Sequence, residues 1–528
     1  MKYFKMKYLK MKYLKNFYYI SLDYYYKTKY FVYFNIFLNV LFINYIYYTF
    51  FGVTNDKLIV LLNYSINLNG CIIIKLVQWL NNHILFIKND ENKNNAIIEL
   101  FSKYYENCSI HNLKYTKTLF FEEFGYVFDD IFILDETCYI KSGSIAQVYK
   151  AYFKNNHSIN NGYSIKNPIA IKVVHPEIEY QILFPIYFMN MYKFFVTNFT
   201  FLKKYDTIIN YDSFFLNLKN QINMINEYKN NEYFYNKYIN NDVIVIPKPL
   251  TKSKNFLIME YIEGEFLEKL DVSIYKKQLL MSFLSIFIKD TYMFGKYIHC
   301  DLHDANWKVL KQKKNNDAND ANDDVYKIII YDFGYIIENN LNEHIQNLIY
   351  YLDLNNTYEI GKIVFEHIEN LKIKDTNSLE FLAYKENIIG KFVKYNERCY
   401  PYTDSNIYAC YNFCHSYDYK LKNNLLDLFV SSMLLNKYFK KYLFYNTNII
   451  DETNKFDEKK YYKSVYDINL FYINICEKYD IFHNVKELLY KKYVANSFFI
   501  EKISYNNNYF NSLIEDKDLI NKNNNFDI

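Results

Sequence analysis

The stretch YIHCDLHDANW, Tyr297–Trp307, sets His299, Asp301, His303, Asp304 and Asn306 within eight residues of an otherwise apolar and aromatic run. Two histidines four apart with acids between them have the outline of a metal site. An Asp followed five residues later by an Asn has a different use, in which a carboxylate handles a proton and an amide oxygen meets a hard cation. The zinc pattern HExxH needs a Glu after its first His, and Asp301 with Leu302 breaks it, so the zinc reading is set aside. His299 then reads as a packing histidine under the loop.

Past one polar insertion, YDFG occupies Tyr331–Gly334. The spacing Asp301-x-x-x-x-Asn306 matches the catalytic loop of kinases, H-R-D-x-x-x-x-N, with Cys300 in place of the Arg. In that reading Asn306 and Asp332 are oxygen ligands for one or two Mg²⁺ bridging nucleotide phosphates. Asp301 orients or deprotonates the attacking hydroxyl or water, and His303 stands where a kinase has a Lys near the γ-phosphate. A DFG triplet alone arises easily by chance, so the decision rests on what precedes it.

Upstream, KSGSIAQVYKAYF (Lys141–Phe153) opens a strand with Gly143 and small residues, which lets backbone amides approach a phosphate. An ordinary turn before a strand reads the same way. In PIAIKVVHP (Pro168–Pro176), Lys172 lies within an apolar strand. Pointing inward it must meet an anion, because an unpaired buried ammonium is costly; pointing outward it is a solvated lysine. Ala170 and Lys172 share a face, with Ile171 and Val173 on the other. NFLIMEYIEG (Asn255–Gly264) runs a strand into Met259-Glu260-Tyr261-Ile262, whose backbone groups suit an adenine edge, or simply ends a strand at Gly264. The candidate nucleotide contacts are therefore Gly143, Ser144, Ala146, Val148, Ala170, Lys172, Met259, Glu260 and Ile262. The order glycine-containing loop, AIK, MEYIEG, HxDxxxxN and DFG along one chain does not arise easily by chance.

The chain has 528 residues, beyond the roughly 250–300 at which one core stops growing, so two or more lobes are expected. Hydrophobic residues make up 51% and charged residues 23%, enough to fold, while the Asn, Lys, Tyr and Ile excess with near absence of Arg has the look of genomic base bias. Motifs therefore outweigh propensity here. Of the net charge of +4, Met1–Asn55 carries eight Lys against Asp23, or +7, leaving −3 for the rest. That distribution gives no nucleic-acid footprint. The eight Cys form no CxxC pair, Cys410 and Cys414 being the closest, so no disulfide framework is expected and no Cys is given a role.

The first residues, MKYFKMKYLKMKYLK, are a basic five-residue repeat, and no charge appears from Tyr30 to Asn55. That run exceeds the roughly 20 residues a spanning helix needs and has a Lys-rich flank with Tyr near both ends. We expect a basic targeting segment at 1–29 and a membrane-anchoring or transmembrane segment at 30–55, against which Asn35, Asn39 and Asn44 weigh; a cleaved leader or a buried aromatic helix are the other readings. Polar stretches from Lys88, Lys154, Lys311 and Asn506 read as solvated loops or insertions. Short β-like runs lie between them, and long helical segments dominate after Phe266.

Taken together, the sequence resembles the UbiB family, the AarF-domain or ABC-one atypical kinase-like proteins, more than ordinary protein kinases, since no A-P-E segment follows DFG. The family loop A-A-A-S-I-G-Q-V is matched at Ser144, Ile145, Gln147 and Val148, and GSGxxAQVYKAY looks like one eukaryotic, mitochondrial branch. H-A-D-x-H-P-G-N is matched at His299, Asp301, His303 and Asn306, and V-K-V-x-H-P at Lys172, Val173, His175 and Pro176. The regulatory motif K-x-G-Q is matched at Lys75 and Gln78, with Val77 for Gly. A helix like E-L-D-Y-R-R-E-A-E-N is matched weakly by QINMINEYKNN, which makes Glu227 the partner of Lys172 and replaces the E-x-D acids by Gln221 and Asn223.

The resemblance implies an α+β, two-lobe protein-kinase-like fold with a helical extension over 56–135, an N-lobe over 136–265, a helical C-lobe over 266–505 and a polar tail over 506–528. It implies ATP and Mg²⁺ as cofactors, with Lys172, Glu227 and Asp301 catalytic and Asn306 and Asp332 on the metal. It further implies an ATPase supporting coenzyme Q or other isoprenoid-lipid metabolism, at a mitochondrial inner membrane or another organelle membrane. The partners would be a membrane lipid or quinone-like molecule and a lipid-biosynthesis protein complex, with no nucleic acid. A true protein or small-molecule kinase, or a catalytically silent membrane scaffold, are the alternatives. The missing E-x-D acids and motif glycine put the extension's covering of the site in doubt.

Overall fold

A computed structural model describes residues 2–52, 54–78, 100, 108, 110–135, 141–155, 162–198, 211–303, 305–313, 324–373, 375–396, 403–422, 425, 427–429, 431, 438–443 and 458–495. The polar stretches from Lys88, over 314–323 and from Asn506, with Asp304, lie outside the described residues. The chain divides into two compact units, Met1–Ile225 with Leu250–Ile258, and Asn226–Pro249 with Met259–Ile528.

The first unit opens with helix α1, Lys2–Phe51. No Gly or Pro interrupts the sequence over that range, so nothing breaks the helix at the 29/30 boundary expected between leader and anchor. The two are one helix, which stops at Gly52, whose φ of 68° is left-handed. Helix α2, Asp56–Asn69, starts at once because the Asn55 side chain accepts from the Lys57 and Leu58 amides. It ends at Gly70, and residues 71–78 continue as a further helix. Phe34, Phe37, Leu62, Ile66, Ile73 and Val77 form a shared apolar cluster with Phe184 and Phe188 of the helix Leu183–Asn198.

The unit's sheet has the order β1 (Phe132–Leu134), β3 (Ala146–Phe153), β4 (Ile169–Val174), β7 (Phe256–Glu260) and β6 (Pro249–Lys252), with β2 (Lys141–Ser142) also paired to β3. Strands β3 and β4 run antiparallel, with Val148 opposite Lys172 and Lys150 opposite Ala170. Tyr149, Ala151, Phe153, Ile169, Ile171 and Val173 pack one face against Phe120 of helix α3, Leu113–Phe124. Alternation then places Ala146, Val148, Ala170 and Lys172 together on the other face.

In the second unit the helix Ile274–Phe294 is buried along its centre, from Leu280 to Phe287. It packs with a three-stranded sheet ordered β5 (Ile244–Val245), β10 (Asp324–Ile330) and β9 (Trp307–Lys313), and a hairpin-like pair of β8 (Tyr297–His299) with β11 (Ile336–Glu338) lies in the same unit. The boundary expected at 265/266 differs from this division. Residues 226–249 belong to the second unit because Phe234 and Tyr238 of the helix Met224–Tyr238, with Val243 and Ile244, enter its core, and β5 pairs in parallel with β10. Helices, among them Asn342–Asp353, Leu379–Asn396 and Glu458–Lys478, make up most of its remaining described residues.

Candidate functional site

In the second unit, the residues from His299 to Gly334 are fixed chiefly by the main chain. His299 in β8 faces Ile336 in β11, and the next amide, Cys300 N–H, donates to Tyr335 O at 3.0 Å. Asn306 N–H donates to His303 O, and Tyr331 N–H donates to Asn306 O, both at 2.8 Å. The Asn306 side chain donates from Nδ2 to Asp301 O at 2.7 Å. Its amide plane is thereby set, and Oδ1 remains the acceptor end of the group. Asp332 adopts φ 50°, a left-handed conformation that Asp and Asn tolerate better than other residues with a side chain. Its Oδ1 accepts the Gly334 amide at 3.1 Å.

His299 is 1% exposed, with both ring nitrogens engaged. Nδ1 accepts the Asp301 amide at 3.2 Å, so Nε2 carries the proton and faces Tyr331 O at 3.4 Å. Burial lowers its pKa, opposed by Asp301 and Asp332, and keeps the ring neutral. His299 thus ties the catalytic loop to the residue before Asp332 and is no metal ligand. His303 Nδ1 accepts the Ala305 amide at 3.2 Å, and its Nε2 lies 4.0 Å from Asp301 Oδ2. Among the described residues no group of three or more His, Cys, Asp or Glu could hold a metal ion by itself.

That donor set fits magnesium. The ion binds through one or two carboxylates together with substrate phosphates and does not require an all-protein cage. Asp332 offers a carboxylate and Asn306 an oriented amide oxygen, both hard oxygen donors.

In the first unit, Lys172 is 8% exposed in a strand whose six residues are all buried. Its place on the face with Ala146, Val148 and Ala170 gives an ammonium set among small and apolar groups. Glu227, in the first turn of its helix in the second unit, is 2% exposed. Gly143 N–H donates to Ala146 O at 2.9 Å. A Cβ on Gly143 would meet that same oxygen at 3.5 Å, an ordinary contact, and its φ is not left-handed. Neither backbone nor packing demands a glycine there.

A line of side chains with no local signature in the sequence holds this loop. Gly143 O can only accept, so the ring nitrogen 3.0 Å away, His175 Nε2, carries the proton. His175 Nδ1 then accepts from His111 Nδ1–H at 2.9 Å, and His111 Nε2 accepts from the Thr116 hydroxyl at 2.9 Å. Thr116 accepts from Tyr149 OH at 2.8 Å, and Tyr149 accepts from Gln147 Nε2 at 2.7 Å. The loop closes where Gln147 Oε1 accepts the His111 amide at 2.8 Å. Burial, with His175 adding repulsion, holds His111 at about 4, and burial lowers His175 as well. Both rings are neutral, as the chain of donors requires.

The segment expected to face adenine is partly engaged elsewhere. Glu260 N–H donates to Lys248 O at 2.8 Å, and Ile262 O accepts Tyr331 OH at 2.8 Å. Met259 is 8% exposed, its sulfur 3.6 Å from Asn231 Nδ2. A purine edge would have to use other backbone groups of this segment. Lys75 and Gln78 lie on the helix 71–78, and Val77, in place of the family glycine, is buried in the α1–α2 cluster.

A profile of the ABC1 atypical kinase-like domain matches residues 104–387. The chain belongs to the ABC1 atypical kinase-like family. Its α+β architecture, with the HxDxxxxN segment leading from β8 to β9 and the DFG segment from β10 to β11, is that of a kinase-like domain. Among curated relatives it is similar to the ABC1 family protein MCP2 of Saccharomyces cerevisiae, 26% identical over 43% of this chain and 40% of that one. It is also similar to the probable serine/threonine-protein kinase abkB of Dictyostelium discoideum, 28% identical over 40% of this chain and 32% of that one. The matches thus span less than half the length of either relative. Among solved structures, Rv3197 of Mycobacterium tuberculosis in complex with erythromycin aligns at TM-score 0.36 and 14% identity, covering 54% of this chain and 67% of that one. The Rio2 kinase of Chaetomium thermophilum, solved with ADP/Mg²⁺ and phosphoaspartate, aligns at 0.26 and 10%, covering 69% and 96%.

Proposed function

We propose that this ABC1-family chain binds ATP with Mg²⁺ and hydrolyses it at an organelle membrane, in support of coenzyme Q or other isoprenoid-lipid metabolism. The observation that carries the nucleotide part is the Asp301–Asn306–Asp332 arrangement, in which each residue is placed by its own main-chain frame. Lys172, to which the family resemblance assigns Glu227 as partner, would bind phosphate oxygens, and the loop at Gly143 would admit the phosphates closely. Asn306 and Asp332 would hold the metal, which when bound neutralises charge developing on the phosphoryl oxygens. Asp301 would orient a water or hydroxyl and take its proton. The membrane and lipid parts rest on the family resemblance and on an apolar helix, Ile20–Phe51, long enough to cross a bilayer and consistent with a membrane protein. Within that proposal the mitochondrial inner membrane is the site of action, with a quinone-like lipid and a lipid-biosynthesis complex as partners.

The experiment is Mg²⁺-dependent phosphate release by the full chain in vesicles with and without a quinone-like lipid, beside Asp332→Asn. Lipid-stimulated release lost in the variant supports the ATPase reading. The kinase named among the relatives favours a second reading, in which phosphate goes to an acceptor; label on protein or lipid with none in solution would install it. Nucleotide binding without either would leave a scaffold.

A further inference from the structure

Two stretches of the first unit lack any charge, Tyr30–Asn55 and Leu58–Ile74, and only Asp56 and Lys57 stand between them. In the structure these stretches are antiparallel. Asn44 Nδ2 donates to Leu58 O at 3.2 Å, and Asn69 Nδ2 donates to Tyr33 O at 2.8 Å. Tyr30, Phe34, Phe37 and Asn44 are buried at helical spacing along one stripe of α1, and Leu62 and Ile66 of α2 are wholly buried in the shared cluster. The outward faces stay apolar: Phe42 is 60% exposed, Phe50 79%, Val60 66% and Tyr64 62%.

Part of the polar capacity of these legs is met within them. Asn35, Asn39 and Thr49 bond the carbonyls of Phe31, Asn35 and Tyr45 at 2.7–2.8 Å, and Asn67 bonds that of Asn63 at 2.8 Å. Each of the amides that weighed against a membrane segment therefore turns at least one N–H back onto helix backbone, which lowers the cost of carrying it into hydrocarbon. At the base, Lys29 Nζ and Tyr30 OH both reach Glu177 Oε2, at 2.6 and 2.7 Å, just past the end of β4. Tyr26 packs on Tyr180.

Lengths agree. At 1.5 Å per residue Tyr30–Phe51 is roughly 32 Å, against a hydrocarbon core of about 30 Å, and α2 brings the chain back level with Tyr33 by Asn69. If α1 crossed alone, Lys29 and Tyr30 would be left on the side of the bilayer away from Glu177 and the sheet. The contacts of Tyr30 with Glu177 and of Tyr33 with Asn69 instead put both ends of the excursion beside the same sheet. We propose that α1 and α2 enter a lipid bilayer together as a helical hairpin with Asp56 and Lys57 at its polar tip, leaving the Lys-rich N-terminus and the strand sheet on one side. This refines the single span expected at 30–55, and it rests on the membrane reading above.

The test uses the full chain with an N-terminal tag in phosphatidylcholine–phosphatidylglycerol vesicles, a Lys57→Cys version, external protease and an impermeant maleimide, all read by peptide mass spectrometry. The expected result is that the tag and the Lys166 site are cut in the same molecules, and that position 57 of those molecules gains label at least tenfold on adding detergent. Cutting of the tag in molecules whose Lys166 site is protected would establish a single span and overturn the hairpin while keeping the membrane. Labelling of position 57 in cut, vesicle-bound molecules without detergent would overturn it in favour of helices lying in one leaflet. Failure to float with vesicles would remove the membrane reading itself. As a second variant, Val60→Lys with Tyr64→Lys changes only outward positions; it should leave the folded chain's Tm in detergent unchanged and lower vesicle partitioning at least tenfold. Unchanged partitioning would also overturn the proposal.

Discussion

The two loops that a phosphoryl-transfer reaction needs are held by different materials. The catalytic segment of the second unit is fixed by amide-to-carbonyl bonds, from Cys300 to Tyr335, Asn306 to His303 and Tyr331 to Asn306. The glycine loop of the first unit hangs on side chains, in a line from Gln147 through Tyr149, Thr116 and His111 to His175 and Gly143. A main-chain frame is indifferent to pH and tolerant of substitution. A line of neutral side chains keeps its order only while each member has the right proton, and the low local dielectric makes a broken member costly. One segment thus leans on a single buried ring, His299, whose Nδ1 takes the Asp301 amide, and the other on two rings in series.

That contrast is tested most severely at Asp332. Because Asn tolerates a φ of 50° as Asp does, Asp332→Asn removes charge and leaves the frame. Mg²⁺-dependent ATP binding should fall by at least about tenfold, since loss of even an outer-shell partner of a metal ligand costs about 10–100-fold, with Tm nearly unchanged in a thermal melt. A Tm drop of the same variant would show that the frame leans on the carboxylate after all.

Next in size is Gly264→Ala, whose added Cβ would lie 2.7 Å from Ile329 Cδ1, 2.9 Å from Lys308 Cβ and 3.1 Å from Val309 O. Overpacking against β9 and β10 should cost about 1–3 kcal/mol in denaturant unfolding; a neutral result would mean the catalytic sheet yields more than its backbone bonds suggest.

Acid should loosen the glycine loop through two rings in series and the catalytic segment through one, His299, whose pKa burial also lowers. His111, at about 4, and His175, also lowered, take protons less readily folded than unfolded. Their contribution is complete above the unfolded value of about 6.5 and is lost as pH falls from there toward 4. Tm and ATP affinity should decline together over that window, and His111→Asn should flatten the decline. Thr116→Val should weaken ATP binding only a few-fold at pH 7.5, and an effect equal to that of Asp332→Asn would erase the distinction drawn here. The smallest effect is expected from deleting Asn315–Asp323. Only Lys314 would remain between Lys313 and Asp324, the last register partners of the β9–β10 ladder, so that pair opens and Lys313, Lys314 and Asp324 make a three-residue turn onto Gln312 and Val325; ATP affinity should change less than twofold by isothermal titration.

Sequence reading went furthest where chemistry demands both a residue type and a spacing. Asp301, Asn306 and the DFG triplet stand in order, and the family they suggested is the one the chain belongs to. It could not see the His111–His175 contact, because residues 64 apart carry no local signal of meeting. It left the direction of Lys172 open, since a strand with both faces buried has no alternation to read. It split α1 at a change of charge, whereas helices end on capping and breaking residues, and the first of those is Gly52. It drew a lobe boundary at a change of element type, whereas Phe234 and Tyr238 assign the helix that carries them by what they pack against.

The clamp of Lys29 and Tyr30 on Glu177 has a mechanical side. Glu177 holds a left-handed φ of 63° two residues beyond His175 and five beyond Lys172, so it is a rigid corner joined to the strand. A beam of roughly 32 Å fixed at such a corner acts as a lever. A tilt of a few degrees moves its far end by a few ångströms, and torque returned along it is delivered to the end of the strand that carries the lysine, where the loop-holding histidine stands.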